Sequence, residues 1–424
     1  MRVLVIGGGG REHAIVWKLA QSPRSPELFA APGNAGTAEL ATNLDVRADD
    51  VEGMLAAVRA NAIDLTVVGP EGPLAAGLVD RFRADGQRVV GPNQAPARIE
   101  SSKSFAKQTM AAAGVPTAAF AVFDDRAAAV AHVRKLGMLR PGASIVVKAD
   151  GLAAGKGVVV AATLDEALAA VDDAMEGGRF GEAGSRVVVE ECLIGQEVSV
   201  FCFTDGKRVT PLVAACDYKR IFDGDEGPNT GGMGGYSPLP WWDAALERRI
   251  RETCVEPVVR ALAAAGSPYT GVLYCGLMLT DDGPRVIEFN ARFGDPEAQL
   301  VLPRLENDLL DVIDAVLDER LGSLNLRWSD EAIVAVVLTS AGYPGSYETG
   351  MPIAGLDGLP DGALVFHAAT ALDSGRLVTS GGRVLTAVGR GATFADARRT
   401  AYAAAERIDF TGKYHRGDIA SFAT

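Results

Sequence analysis

Residues 286–299 read "VIEFNARFGDPEAQ" and put Glu288 and Asn290 two positions apart on an apolar, strand-like run. Alternation along a strand turns such a pair to one face, where two hard oxygen ligands can share one magnesium ion. Arg292 follows within reach of the same pocket. A metal that bridges phosphate oxygens and a guanidinium that stabilises a transferred phosphoryl group are what ATP chemistry asks for. On its own, the alternation also fits a half-solvated strand.

Three other stretches carry compatible chemistry. "VVKADGLAAGKGV", residues 146–158, places Lys148 near the end of an apolar strand, followed by a loop with Gly151, Gly155 and Gly157 and the charge of Lys156. Glycines let such a loop fold over phosphates. It is not a Walker A loop, because only three residues separate Gly151 from Gly155 and Lys156 is followed by Gly157 instead of Ser or Thr. A plain glycine-rich hairpin connection is the alternative. "VVVEECLIGQEVS", residues 187–199, offers a linker strand for an adenine edge and carboxylates at Glu190, Glu191 and Glu197 for ribose hydroxyls. "DYKRIFDGDEGPNTGGMGGYSP", residues 217–238, is too long and polar for core, and loops of that length are functional or disordered.

The amino terminus, "MRVLVIGGGGREHAI", runs from a β-branched strand, Val3 to Ile6, into four glycines, Gly7 to Gly10. That is how phosphate loops are built, although a tight turn that merely starts a helix would look similar. A dinucleotide fingerprint fails here. Its third glycine would fall on Glu12 or His13, and the second strand, in "ELFAAPGNAGT", ends in Pro32, Gly33 and Asn34 where an acid should hold the ribose. A smaller phosphorylated ligand fits better.

The elements that must position these residues follow from periodicity. Up to about Glu100, short apolar strands alternate with helical stretches, which implies a parallel sheet with crossover helices. Gly7, Gly69 and Gly91 each follow a strand, so loops gather at one sheet edge, with Glu71 among them. From about Ser144 come strand, glycine loop, strand, a helix started by the capping pair Thr163 and Glu166, and another strand. Hairpin turns are expected at Asp205-Gly206 and Asp282-Gly283, and a helix from Asp308 to about Arg320. Beyond Asn325, further strands read as a separate small domain. The fold class is thus a multidomain mixture of α/β and α+β, with units at 1–100, 101–325 and 326–424.

Composition narrows the class. The chain has 424 residues, 48% of them apolar and 22% charged, which is ample for several cores. Apolar runs such as "AIVAVVL" fall far short of the roughly 18 residues of a membrane span, and the first strand lacks signal-peptide features, so a cytoplasmic protein with no membrane partner is expected. A net charge of −13 without a basic block argues against nucleic acid. Five cysteines with no C-x-x-C pair read as reduced and mostly buried. His132, His367 and His415 read as structural or surface residues.

Taken together, "GGGGREHA", "PGNAGT", "GPEGPLAAGLVD", "KADGLAAGKGV", "GPNTGGMGGYSP" and "RFGDPEAQ" occur in the order in which they occur in one family of ATP-grasp ligases. The chain resembles the glycinamide ribonucleotide synthetase family over nearly its whole length. The resemblance implies a pre-ATP-grasp domain, an ATP-grasp domain whose residues 120–189 form a small lid, and a carboxy-terminal domain. It implies ATP-driven joining of glycine to 5-phosphoribosylamine through glycyl phosphate, with Mg2+ or Mn2+ on Glu288 and Asn290 and a monomeric enzyme. ATP would contact Lys103, Lys148, Gly151, Gly155, Lys156, Gly157, Glu190, Glu191, Leu193 and Glu197. Substrates would meet Gly9, Gly10, Arg11, Asn34, Glu71, Asp217, Lys219, Asn229 and Asp295, with Arg292, Lys148 and Asp295 serving catalysis. Another ATP-grasp carboxylate-amine ligase or a ribonucleotide transformylase is the alternative. Two departures stand out: Tyr218 replaces the family's usual histidine in "DYKR", and Gly276 stands where many ATP-grasp enzymes carry a second metal carboxylate.

Overall fold

The computed structural model describes residues 1–152, 157–178 and 181–423. Strands β1 (Arg2–Gly7), β2 (Glu27–Pro32), β3 (Thr42–Asn43), β4 (Leu65–Val68) and β5 (Val89–Val90) form a parallel sheet ordered β3-β2-β1-β4-β5. The order in which strands are added across the sheet reverses between β1 and β4, so their carboxyl ends open a crevice where the flanking loops diverge. Helix α1 (Gly10–Leu19) starts there, directly after the glycines.

A second unit consists of β6 (Phe120–Phe123), β7 (Ile145–Ala149), β8 (Val158–Ala161) and β9 (Val187–Glu191), an antiparallel sheet ordered β6-β9-β7-β8. Helices Arg126–Leu139 and Leu164–Met175 cover it. Thr163 caps the second of these, accepting from Glu166 N–H at 3.2 Å, while Glu166 accepts from Ala162 N–H at 2.8 Å. Val133, Val147, Val171 and Val189 belong to a core cluster confined to this unit.

The largest sheet joins the rest of the molecule. Its members come from β10 (Gln196–Asp205), β11 (Val213–Asp217), β14 (Gly234–Ser237), β15 (Thr270–Thr280), β16 (Gly283–Asn290), β17 (Ala332–Thr339), β18 (Ala363–His367) and β21 (Arg383–Gly391). The ribbons β12 (Arg220–Phe222) with β13 (Glu226–Asn229) and β19 (Thr370–Asp373) with β20 (Arg376–Thr379) stand apart. Strand order is β16-β15-β10-β11-β14-β17-β21-β18. Strands β17, β18 and β21 therefore do not close a sheet of their own: β14 pairs with β11 on one edge and β17 on the other. Every residue of β17, "AIVAVVLT", is buried, and each fully buried valine contributes about 1.5–3 kcal/mol to holding this join.

Candidate active site

The end of β16, the helix Lys103–Ala112 and the inner face of the four-stranded unit enclose a cavity of about 150 Å³. On β16 the register slips between Gly276 and Leu277, so Ile287 is an extra residue opposite no partner. Glu288 and Asn290 line the cavity half-buried, and Phe289 between them, which also borders it, is buried against the core. Lys148, at the end of β7, reaches in from the other side with Nζ 3.1 Å from Glu190 Oε1 and 3.2 Å from the carbonyl of Ile287. Lys103 donates to the carbonyl of Gly151 at 2.8 Å, which ties the root of the glycine loop to the start of its helix.

Arg292 lies at the mouth, with Nε 3.1 Å from Glu71 Oε2 and Nη2 2.7 Å from Glu100 Oε1. Glu71 starts a short helix after β4 and also faces Arg11 at 3.9 Å, so the parallel-sheet domain supplies one wall of the cleft. Burial alone would raise the Glu71 carboxyl, yet Arg292 and Arg11 outweigh it and hold the carboxyl below its ordinary value. The same contest decides Glu288, where Lys219, Lys148, Lys103 and Arg292 together overcome burial and keep it ionised.

Among the described residues no group of three or more His, Cys, Asp or Glu side chains is arranged to hold a metal by itself. The donors at Glu288 and Asn290 nonetheless fit a hard cation. Glu288 is held ionised, and the Asn290 amide nitrogen donates to the carbonyl of Phe289 at 3.1 Å, which leaves its Oδ1 free to accept. Magnesium takes one or two protein oxygens and completes its shell with phosphates and water. Gly276, opposite Glu288 in the register, supplies no further carboxylate.

Beside the cleft, Lys219 forms an ion pair with Glu197. Burial lowers the Lys219 ammonium, but Asp217 and Glu197 outweigh it and hold it well above its ordinary value. Burial pushes the Asp217 carboxyl up to about 6 against the pull of Lys219. Glu197 and Lys219, assigned by resemblance to ribose and acceptor respectively, are thus each other's partners here. Ser199 joins the cluster, donating to Glu297 at 3.2 Å and sharing a 3.0 Å hydrogen bond with the Tyr274 hydroxyl.

At the amino-terminal glycines, Glu12 folds back into the crevice between β1 and β4. It accepts from Gly9 N–H at 2.7 Å, and a Cβ on Gly7 or Gly69 would lie 2.5 and 2.3 Å from its side chain. The residue that breaks the dinucleotide fingerprint is therefore packed between the turns after β1 and β4. Arg11 N–H donates to Asp295 Oδ2 at 3.2 Å, and Gly10 is pressed against Gln299. The start of α1 thus faces the "RFGDPEAQ" segment. Asn34 donates to the carbonyls of Gly8 at 3.0 Å and His367 at 2.8 Å, fastening the glycine turn to β18.

The remaining expected residues are dispersed. Glu191 accepts from Ala119 N–H at 2.9 Å and Arg140 at 2.6 Å, and Leu193 is half-buried in the segment after β9. Asn229 is exposed on the β12–β13 ribbon. Gly157 lines the cavity, whereas Gly155 and Lys156 lie outside the described residues. Tyr218 turns away from the cleft: Ala420 N–H donates to its hydroxyl at 3.1 Å and the Arg416 guanidinium stacks 4.7 Å above its ring. Burial raises its phenol further, away from the range that suits proton transfer at neutral pH, and its contacts are with the fold.

Sequence reasoning passed over Lys107, Glu100, Glu297 and Arg383. Lys107 Nζ lies 2.8 Å from Glu190 Oε2 and donates to Thr117 Oγ1 at 2.7 Å. Its spacing of four from Lys103 on one helix was the available signal. Glu297 sits inside the quoted octet. Glu100 and Arg383 find their partners only through tertiary contacts.

Comparison with known proteins shows the family. Family models for the phosphoribosylglycinamide synthetase N domain, ATP-grasp (A) domain and C domain match residues 1–100, 101–298 and 333–422. The chain is 50% identical to the phosphoribosylamine–glycine ligase of Halalkalibacterium halodurans, over 100% of this chain and 97% of that protein. The Rhizobium meliloti ligase of the same name is also 50% identical, over 99% and 98%. The crystal structure of the phosphoribosylamine–glycine ligase of Thermotoga maritima superposes with a TM-score of 0.85 at 35% identity, covering 99% and 100% of the two chains. The biotin carboxylase domain of Hydrogenobacter thermophilus 2-oxoglutarate carboxylase, solved with MgADP and bicarbonate, shares the fold at a TM-score of 0.73 and 14% identity, over 98% and 91%. The chain belongs to the phosphoribosylglycinamide synthetase family, the ATP-dependent ligases that act on phosphoribosylamine and glycine in purine biosynthesis.

Proposed function

We propose that ATP lies in the cleft with its phosphates among Lys103, Lys148 and Arg292, and that glycine and 5-phosphoribosylamine meet on the side of Asp217, Lys219 and Asp295. The observation that carries this reading is the convergence of Lys103, Lys107, Lys148 and Arg292 with Glu288 and Asn290 on one cavity. Glu288 and Asn290 would hold Mg2+ or Mn2+, which when bound supplies charge neutralisation at the phosphate oxygens. The glycine carboxylate attacks the γ-phosphate, giving glycyl phosphate and ADP. The phosphoribosylamine nitrogen then attacks the activated carbonyl and phosphate leaves. No enzyme nucleophile is needed, so the protein works by positioning and by stabilising developing charge, with Arg292 aimed at the transferred group. The four-stranded unit acts as a lid, its separate core letting it move as one body. The glycine turn at Gly9, Gly10 and Arg11 and Asn34 border the sugar-phosphate side. The enzyme works as a monomer in the cytoplasm.

The test is ADP release from the full-length protein with each substrate omitted in turn. Release that needs both glycine and phosphoribosylamine supports the reading. Release with formate or bicarbonate in place of glycine, or tight NADH binding without ATP binding, overturns it.

A further inference from the structure

Resting on the proposed placement of the acceptor substrates, we infer that Tyr343 and Arg383, both from the carboxy-terminal part of the chain, are positioning residues that set the acceptor side of the site by clamping one residue, Gly231, through its N–H and its carbonyl. Gly231 N–H donates to the Tyr343 hydroxyl at 3.0 Å. Its carbonyl accepts from Arg383 Nη1 at 2.6 Å. The same nitrogen donates to the carbonyl of Asp295, also at 2.6 Å, and lies 3.6 Å from Asp295 Oδ1. One guanidinium therefore stitches the "GPNTGG" turn to the "RFGDPEAQ" segment.

Close approach of Arg383 and of the "RFGDPEAQ" segment leaves little room for side chains on the glycines of the turn. A Cβ on Gly231 would lie 3.0 Å from the guanidinium carbon of Arg383, and one on Gly232 only 2.5 Å from Pro296 Cδ. From the clamped residue the connection to the site is short. The preceding residue, Thr230, gives both its N–H (2.7 Å) and its hydroxyl (2.8 Å) to the carbonyl of Lys219. The Lys219 ammonium pairs with Glu197 and feels the charges of Asp217 and Glu288. On the other branch, Asp295 receives the Arg11 N–H and Gln299 Nε2, at 3.2 and 2.9 Å. The clamp thus acts on both the lysine and the aspartate of the acceptor side while touching none of Lys103, Lys148 or Asn290.

The experiment uses full-length Tyr343→Phe, Arg383→Lys and Arg383→Met, with glycine, phosphoribosylamine and ATP varied separately. Arg383→Met is expected to lower kcat/KM for glycine and phosphoribosylamine about a hundredfold, as a misplacement of roughly 1 Å does. Tyr343→Phe should lower them by about tenfold, and Arg383→Lys should restore part of the loss. Binding of a non-hydrolysable ATP analogue, followed by fluorescence, should stay within about twofold of wild type. Two results overturn the inference: a parallel loss of analogue binding, or a fall in melting temperature with all kinetic constants kept, which marks the pair as scaffolding only. Wild-type activity is the control that separates the two readings. If the wild type shows no glycine-dependent ADP release, the placement of substrates fails; if it does and the variants match it, only the clamp fails.

Discussion

The Arg292 guanidinium is held in place by a buried carboxylate, Glu100, with 2.7 Å between Nη2 and Oε1. Glu71 grips the same group through Nε at 3.1 Å, so the cation faces the cleft already oriented. Preorganised charge of this kind acts most strongly where new charge develops during reaction.

Arg292→Ala is accordingly expected to lower kcat by about 10²–10³ while leaving the glycine KM nearly unchanged. Initial rates over a glycine series check this. A rise in KM at constant kcat would show that the arginine serves ground-state binding only.

Lys107 and Lys148 share the Glu190 carboxylate in a buried site. Removing one partner of a buried pair costs about 3–5 kcal/mol when the other is left alone. Glu190 would keep Lys148, so Lys107→Met should cost less than that, whereas Glu190→Gln, which takes the shared carboxylate from both lysines, should cost more. Urea midpoints of the two single variants measure both effects. An unchanged midpoint for Lys107→Met would show that the pair adds nothing to stability.

Burial pushes Asp217 up to about 6, opposed by Lys219. If the ionised carboxylate is what orients the acceptor, kcat/KM for phosphoribosylamine rises with pH through about 6 and levels off above it. Asp217→Asn should remove that limb and lower the plateau. A limb that persists in the variant assigns the titration to another group.

His13 and His367 pack edge to face, 5.5 Å between ring centroids, and His367 N–H donates to His13 Nδ1 at 2.8 Å. Burial lowers the His13 imidazole to about 3 and the His367 imidazole to about 4. The unfolded chain takes up these protons near the ordinary histidine value while the native state does not. Their contribution is therefore full above about pH 6.5 and is lost as pH falls toward 4, by up to about 1.4 kcal/mol per pH unit and group. The difference in unfolding free energy between wild type and His13→Gln, followed from pH 7 to pH 5, should shrink accordingly. A constant difference would mean that His13 does not titrate as described.

Much of the site was legible from local pattern. Strand alternation brought Glu288 and Asn290 to one face, the apolar run before Lys148 placed it at a strand end, and the missing third glycine excluded a dinucleotide loop. Tyr218 was less legible, because a ring that stacks under Arg416, almost two hundred positions later, has no local signature.

What the sequence by itself determined is the set of chemical groups and the elements that carry them, since caps, glycine turns and apolar periodicity act over a few residues. What only the tertiary structure decided is which of those groups meet. Asp295 receives the backbone of Arg11 from 284 residues away and the guanidinium of Arg383 from β21, and Glu197 is claimed by Lys219. Lys219 is brought to Glu197 by the pairing of β10 with β11, and Arg383 to Asp295 by the run β14-β17-β21. Hydrogen-bond register between distant strands is set by the packing of whole faces, which no short stretch encodes.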